Sequence, residues 1–523
     1  MPCQASPQQH LSGYRERANQ RGVSSKHITR NGARHCLALS VVAVACSACS
    51  GATTRAGSVK KSPLPPVAPL QSPDAPSPKS DAPPLLIQGG TVMTAAGDIY
   101  APGHVLVRAG RIQAVGPGPG PQAGAETRVI DASGMYITPG LIDTHSHMGV
   151  YSLPFTRAHY DGNEMSSPNT ANVDAEDAFW PQDPSLSRAL AGGVTTIQVL
   201  PGSANLIGGR TFTAKLWPRT HARAMRFPGA PEGLKMACGE NPKRVYGGKG
   251  RFPMTRMGNV AGYRKAFQEA REYARDWKTY ERDLEAWQGK AEAAAARGET
   301  FDEDPPEPPA RDFAKDTLAR VLAGDILVHV HCYRADEMHR LLDLASTFGF
   351  EIRSFHHALE AYKLRHRLAE QEVSISTWAD WWGFKMEAYD GVPYNAAMVH
   401  AAGGRTIIHS DSETDIRILN QEAAKAMAAG RSIGLDISTN DALRWITANA
   451  AWALGVDDQV GSLEAGKMGD LVLWDEHPFS VYALPQKVFI EGHEVYDRRQ
   501  GRRPSDFELG QPARQAGAVE SRP

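Results

Sequence analysis

The chain has 523 residues, 41% of them hydrophobic, which is enough to bury a large core in more than one domain. Lys and Arg total 57 against 58 Asp and Glu, a balance that gives no argument for nucleic acid or an acidic membrane surface as partner. Of six cysteines, only Cys238 and Cys332 lie in the part that reads as folded, so no disulfide framework is expected.

Residues 1–51 read as an export signal with a long basic region. Lys26, Arg30 and Arg34 precede an apolar run from Leu37 to Ala45, too short to span a bilayer. Small residues surround Cys46 and Cys49, as at a signal cleavage site. Ala43-Val44-Ala45-Cys46 resembles a bacterial lipobox without its usual Leu, and a start near Val23 would shorten the signal. The expected location is therefore a bacterial envelope, either periplasmic or lipid-anchored to the membrane. Residues 52–84 are rich in Pro, Ser and Ala and read as a disordered tether, as does the tail 501–523.

Order is expected from Leu85. Leu85-Leu86-Ile87, Val105-Leu106-Val107, Arg111–Val115 and Val129-Ile130 read as short strands separated by Gly-containing turns. Leu471–Trp474 and Val488–Ile490 repeat that character near the other end, so 85–138 plus 459–500 are expected to build one small β-sandwich. Between them, over 139–458, apolar strands alternate with helix-sized segments: Thr195–Leu200, Ile326–His331, Glu351–Phe355, Val373–Thr377 and Thr406–His409. That alternation predicts an α/β fold, a (β/α)₈ barrel flanked by the sandwich.

An insertion at about 255–318 interrupts it. Tyr263, Phe267, Ala270, Tyr273, Trp277, Tyr280, Leu284 and Trp287 recur every three or four residues, which predicts a long amphipathic helix. Its apolar stripe must be covered, by the barrel, as a lid, or by a second subunit in a homo-oligomer.

Chemistry collects at strand ends. His145-Ser146-His147 places two imidazoles on one strand face, where both can bind one metal. His329 and His331 close another strand, His356 and His357 the next, and Asp411 follows Ile407-Ile408-His409-Ser410. Polar groups at several strand ends are what a catalytic barrel mouth requires. A buried His satisfied by its neighbours is the plainer reading of each alone; jointly they point to a divalent metal.

The run Ile137–His147 resembles the first-strand motif of the amidohydrolase superfamily. Gly193-Val194-Thr195-Thr196, Thr447–Ala451, Gly461–Lys467 and Asp470–Leu473 resemble its later motifs. The nearest branch is the imidazolonepropionase-like and prolidase-like group. The resemblance spans about 85–500. It implies metal ligation by His145, His147, His329, His357 and Asp411, with His331 further out towards substrate and His356 facing the other way. Gly233-Leu234-Lys235-Met236 resembles the motif of a carboxylated bridging Lys, with Lys235 as the bridge; Glu240 as bridge and a mononuclear site remain alternatives. One or two Zn²⁺ are expected, with Mn²⁺, Fe²⁺ or Co²⁺ equally acceptable to such donors.

The resemblance implies hydrolysis of an amide, peptide or cyclic amide. Asp411 would be general base then acid and His331 would assist the oxyanion. Arg210, Arg334, Tyr362 and Lys385 are candidates for holding a small-molecule substrate. Deamination of a nitrogen heterocycle is one alternative, and a non-catalytic metal-binding envelope protein is another.

Overall fold

In the computed structural model, residues 82–500 are described. The export signal, nearly all of the tether and the tail after residue 500 lie outside them. Among the described residues the strands collect into two eight-stranded sheets.

The first sheet opens with Leu85–Met93 (β1), Ile99–Arg108 (β2), Arg111–Pro117 (β3), Arg128–Asp131 (β4) and Tyr136–Pro139 (β5). The second follows: Leu141–Ser146 (β6), Val194–Val199 (β7), Ile207–Lys215 (β8), Gly233–Ala237 (β9), Leu327–Cys332 (β10), Ile352–His357 (β11), Ser374–Thr377 (β12) and Thr406–Ile408 (β13). Leu471–Trp474 (β14), Pro485–Ile490 (β15) and His493–Asp497 (β16) return to the first. The join is direct: β5 pairs antiparallel with β14, Thr138 opposite Val472. N- and C-terminal strands thus share one hydrogen-bonded sheet, which is as much of the expected sandwich as the pairing shows.

The second sheet runs in the order β13 to β6, the neighbour order of a nearly closed barrel. β6 and β7, and β9 through β13, pair in parallel. β8 departs from the expected barrel by running antiparallel to both β7 and β9. Its Gly208-Gly209 start reads as loop in sequence. β6, β7, β9 and β12 are buried along their whole length, as covered parallel strands are. The interior is partly hydroxylic: Thr144 donates to Ser376 Oγ at 2.9 Å, and Ser376 lies 3.1 Å from Ser354 Oγ.

Close approaches lock the two sheets together. A Cβ on Gly140 would lie 2.2 Å from Thr195 Oγ1, so no larger residue fits between β5 and β6. Lys215, 1% exposed, ends β8 with Asp470 Oδ1 at 3.2 Å and Glu491 Oε1 at 2.7 Å. Cys238 and Cys332, at the ends of the adjacent β9 and β10, form a disulfide that composition did not announce.

The insertion is a 41-residue helix, Arg256–Ala296. Tyr263, Ala266, Phe267 and Ala270 are buried in the core, Phe267 stacking on Phe350 at 4.4 Å. The distal stripe is covered by the chain's own return: Arg311 lies over the Trp277 ring, Phe301 meets Trp287, and Trp287 Nε1 donates to Glu303 O at 2.8 Å.

Candidate metal centre

β6 carries His145, His147 lies just past its end, and both reach the same Asp411 oxygen. His147 Nδ1 donates to Leu200 O at 2.7 Å, which places the ring proton there and leaves Nε2 a free lone pair. That Nε2 lies 3.4 Å from Asp411 Oδ1, and His145 Nε2 lies 3.6 Å from the same oxygen. Asp411 follows β13, and its amide donates to His145 O at 3.0 Å across the barrel seam. Its φ of 49° is a left-handed backbone on a non-glycine residue, the kind of strain concentrated at functional sites. Beneath it, buried Asp143 accepts from the Ser410 hydroxyl and from the His145 amide at 3.0 Å. Burial pushes that carboxyl up to about 6, against those hydrogen bonds.

A second arc faces this group. The His357 ring lies 4.7 Å from His145 and 4.5 Å from His331. His409 stacks on His145 at 4.9 Å. Lys235, on β9, is 1% exposed and donates to Pro201 O at 3.0 Å. Burial favours the neutral form of both groups, lowering Lys235 and raising Asp411, while their mutual attraction opposes both shifts. Burial also keeps the imidazoles neutral. His147, His329 and His409 fall to about 3, and His145, His331, His356 and His357 well below the usual value.

These residues fit a divalent cation. Ligand atoms of His145, His147 and Asp411 lie within 4.8 Å of one another, as do those of His145, His357 and His409. His357 Nδ1 is buried without a hydrogen-bond partner, a costly state for a polar atom that a ligand relieves. Neutral imidazoles with a carboxylate are donors that Zn²⁺ and its neighbours accept.

His329 and His356 occupy a deeper layer. His356 Nδ1 lies 2.9 Å from His145 Nδ1, and its Nε2 lies 3.0 Å from His329 Nδ1. His329 Nε2 lies 3.1 Å from the Gln198 amide. Both nitrogens of His329 are therefore engaged, and Gln198, His329, His356 and His145 form one polar chain. The expectation that His356 faces away is corrected here. His357 adopts φ 68° at the strand end, which breaks the two-residue alternation and lets both adjacent rings turn inward.

Of the substrate candidates, Lys385 alone is brought beside this group. Its ammonium lies 4.0 Å above the Tyr333 ring, which stacks on His357 at 5.1 Å. Glu240 and Glu387 pair with it at 3.6 and 3.5 Å, so Glu240 is drawn to Lys385. Arg210 is paired with Asp174 and Glu232. Arg334 is held by Asp336 in solvent. The Tyr362 hydroxyl donates to Asp390 O at 3.2 Å. Sequence reasoning gave no role to His409, though its place two residues before Asp411 was the available signal. It also missed the ring wall of Tyr333, Trp378 and Trp381, in which Trp378 stacks on His357 at 4.3 Å.

The chain is similar to the solved structure of an amidohydrolase from Thermotoga maritima MSB8. Identity is 32%, the TM-score is 0.68, and the match covers 79% of this chain and 100% of that one. The chain belongs to the amidohydrolase family. Residues 390–495 of this amidohydrolase match the model of the Amidohydrolase family. It is 33% identical over 418 residues to the amidohydrolase tasK of Hapsidospora irregularis, covering 76% of this chain but 40% of that protein's length. It is 26% identical to a 5-methylthioadenosine/S-adenosylhomocysteine deaminase of Symbiobacterium thermophilum, covering 79% of this chain and 93% of that one. The amidohydrolase is a hydrolase whose relatives act on carbon–nitrogen bonds.

Proposed function

We propose that this amidohydrolase cleaves an amide, peptide or cyclic amide bond at a divalent-metal centre held by His145, His147, His357 and Asp411. Lys235, as a carbamate, would supply the oxygens to hold a second ion. One observation carries the reading: the Nε2 atoms of His145 and His147 converge on one Asp411 oxygen at 3.6 and 3.4 Å. A divalent ion in such a setting supplies Lewis acidity, activating water and polarising the scissile carbonyl near neutral pH.

The chain's own residues do the rest. Asp411 accepts the proton of the attacking water and delivers it to the leaving nitrogen, base and then acid. The Leu200 carbonyl keeps His147 in the tautomer whose Nε2 faces the centre. His331, 3% exposed, accepts at Nε2 from the Asn241 amide at 3.5 Å, which puts its ring proton on Nδ1, the atom to donate to a developing oxyanion. Tyr333, Trp378 and Trp381 exclude water from one wall. Burial lowers the proton affinity of Lys235, which favours the neutral amine that adds to CO₂ and loses a proton to give the carbamate, and the carbamate would present hard oxygens where an ammonium would repel the ion.

The test is turnover of metal-replete protein on N-acyl amino acids, dipeptides including prolyl ones, and lactams, beside metal content. Asp411→Asn is expected to keep the fold and lose most turnover, because an amide cannot shuttle the proton. Full activity in that variant overturns the mechanism. Deamination of a nitrogen heterocycle is the second reading, favoured by the similarity along nearly the whole length of the Symbiobacterium deaminase. One metal per chain with ammonia released from adenosine-type substrates would select it.

A further inference from the structure

We infer that His409 is a metal ligand of this centre, adding a third imidazole to His145 and His357 on the side that faces His147 and Asp411. The inference rests on the metal-centre reading and adds to it a residue that the motif resemblance leaves without a role.

The backbone delivers His409 to the site. β13 runs into His409-Ser410-Asp411, and the His409 amide donates to Thr377 O at 3.1 Å, keeping the chain against β12 up to the site. His409 and Asp411, two apart, both reach the centre. The His409 ring is 1% exposed and sits among the rings of His145 at 4.9 Å, His357 at 5.1 Å and Trp378 at 5.1 Å.

Its polar atoms decide the matter. Neither ring nitrogen of His409 makes a hydrogen bond of normal geometry, and His357 Nδ1 beside it is in the same position. The Ser376 backbone is a polar neighbour of the ring, an acceptor that can hold the ring proton and leave the other nitrogen for a ligand. A ring serving only to pack against His145 and Trp378 would need no nitrogens. A buried imidazole with no hydrogen bond of normal geometry costs stability unless something binds it. Ligand atoms of His145, His357 and His409 come within 4.8 Å of one another, a spacing one ion can draw together. The three side chains arrive from β6, β11 and β13, so the set exists only in the closed barrel.

The experiment uses the full chain loaded with Zn²⁺. Zinc affinity and stoichiometry are measured by competition with a chromophoric chelator for wild type, His409→Phe and His145→Asn, and anomalous diffraction locates zinc in wild-type crystals. The expected result is zinc at about 2.0–2.1 Å from a His409 nitrogen. His409→Phe should bind at least one equivalent about tenfold more weakly, since even outer-shell partners are worth that much. Wild-type affinity and stoichiometry in a folded His409→Phe, with zinc lost in His145→Asn, overturns this inference and leaves the metal centre standing. Wild-type protein that takes up no zinc overturns both. If His409→Phe does not fold, the anomalous map decides: zinc beyond bonding distance of His409 overturns the inference.

Discussion

Replacing His356 by Phe isolates what the deep imidazole layer contributes. His356 is wholly buried, with Nδ1 2.9 Å from His145 Nδ1 and Nε2 3.0 Å from His329 Nδ1. Phenylalanine keeps a ring of similar outline and removes both nitrogens, leaving one nitrogen on His145 and one on His329 unpaired. Each buried, unpaired nitrogen costs about 1–3 kcal/mol, so the metal-free protein should lose roughly 2–6 kcal/mol. That is a large share of the ~5–15 kcal/mol that domains possess. The second effect is on ligation. His356 holds the rotation and tautomer of His145, and removing such a partner weakens metal binding about 10–100-fold, or roughly 1.4–2.8 kcal/mol. Urea unfolding of the metal-free protein measures the first effect and chelator competition the second. Wild-type zinc affinity in folded His356→Phe would refute the claim that this chain orients His145.

Four further outcomes follow from the packing and the sequence. Lys215→Met removes the ammonium that pairs with buried Asp470 and Glu491 and should cost about 3–5 kcal/mol in urea unfolding. Cys238→Ala with Cys332→Ala opens a link across 94 residues; the chain-entropy estimate is at most about 4.7 kcal/mol, read as a lower denaturation midpoint. Gly140→Ala forces a Cβ onto Thr195 and should cost about 1–3 kcal/mol; Thr195→Ala should recover part of it in a double-mutant cycle. Lys235→Ala should lose affinity for at least one metal and regain activity with a short-chain carboxylate that fills the vacated bridge.

Much of this protein is legible in its sequence. The alternation of apolar strands with helical segments announces a barrel, because strands covered on both faces need continuous apolar runs. His145 and His147 are readable as a pair because strand periodicity puts residues two apart on one side. The helix from Arg256 to Ala296 is readable from its three- and four-residue spacing. These are local rules, and the sequence obeys them locally.

Only the tertiary structure decided which imidazoles meet. The same period-two rule misplaced His356, because the left-handed backbone at His357 turns both rings inward. The resemblance made His329 the ligand and set His331 further out, yet depth in the barrel commits both nitrogens of His329 to Gln198 and His356 and leaves His331 beside His357. The direction of β8 and the pairing of Cys238 with Cys332 likewise depend on which strand ends become neighbours. Arg210 and Lys385 look alike as loop cations, but Arg210 is paired with Asp174 and Glu232, whereas Lys385, paired with Glu240 and Glu387, also lies over the Tyr333 ring beside His357. A pattern specifies which way a side chain leaves its own backbone. What it finds there is set by closure of the barrel, which brings together groups separated by hundreds of residues.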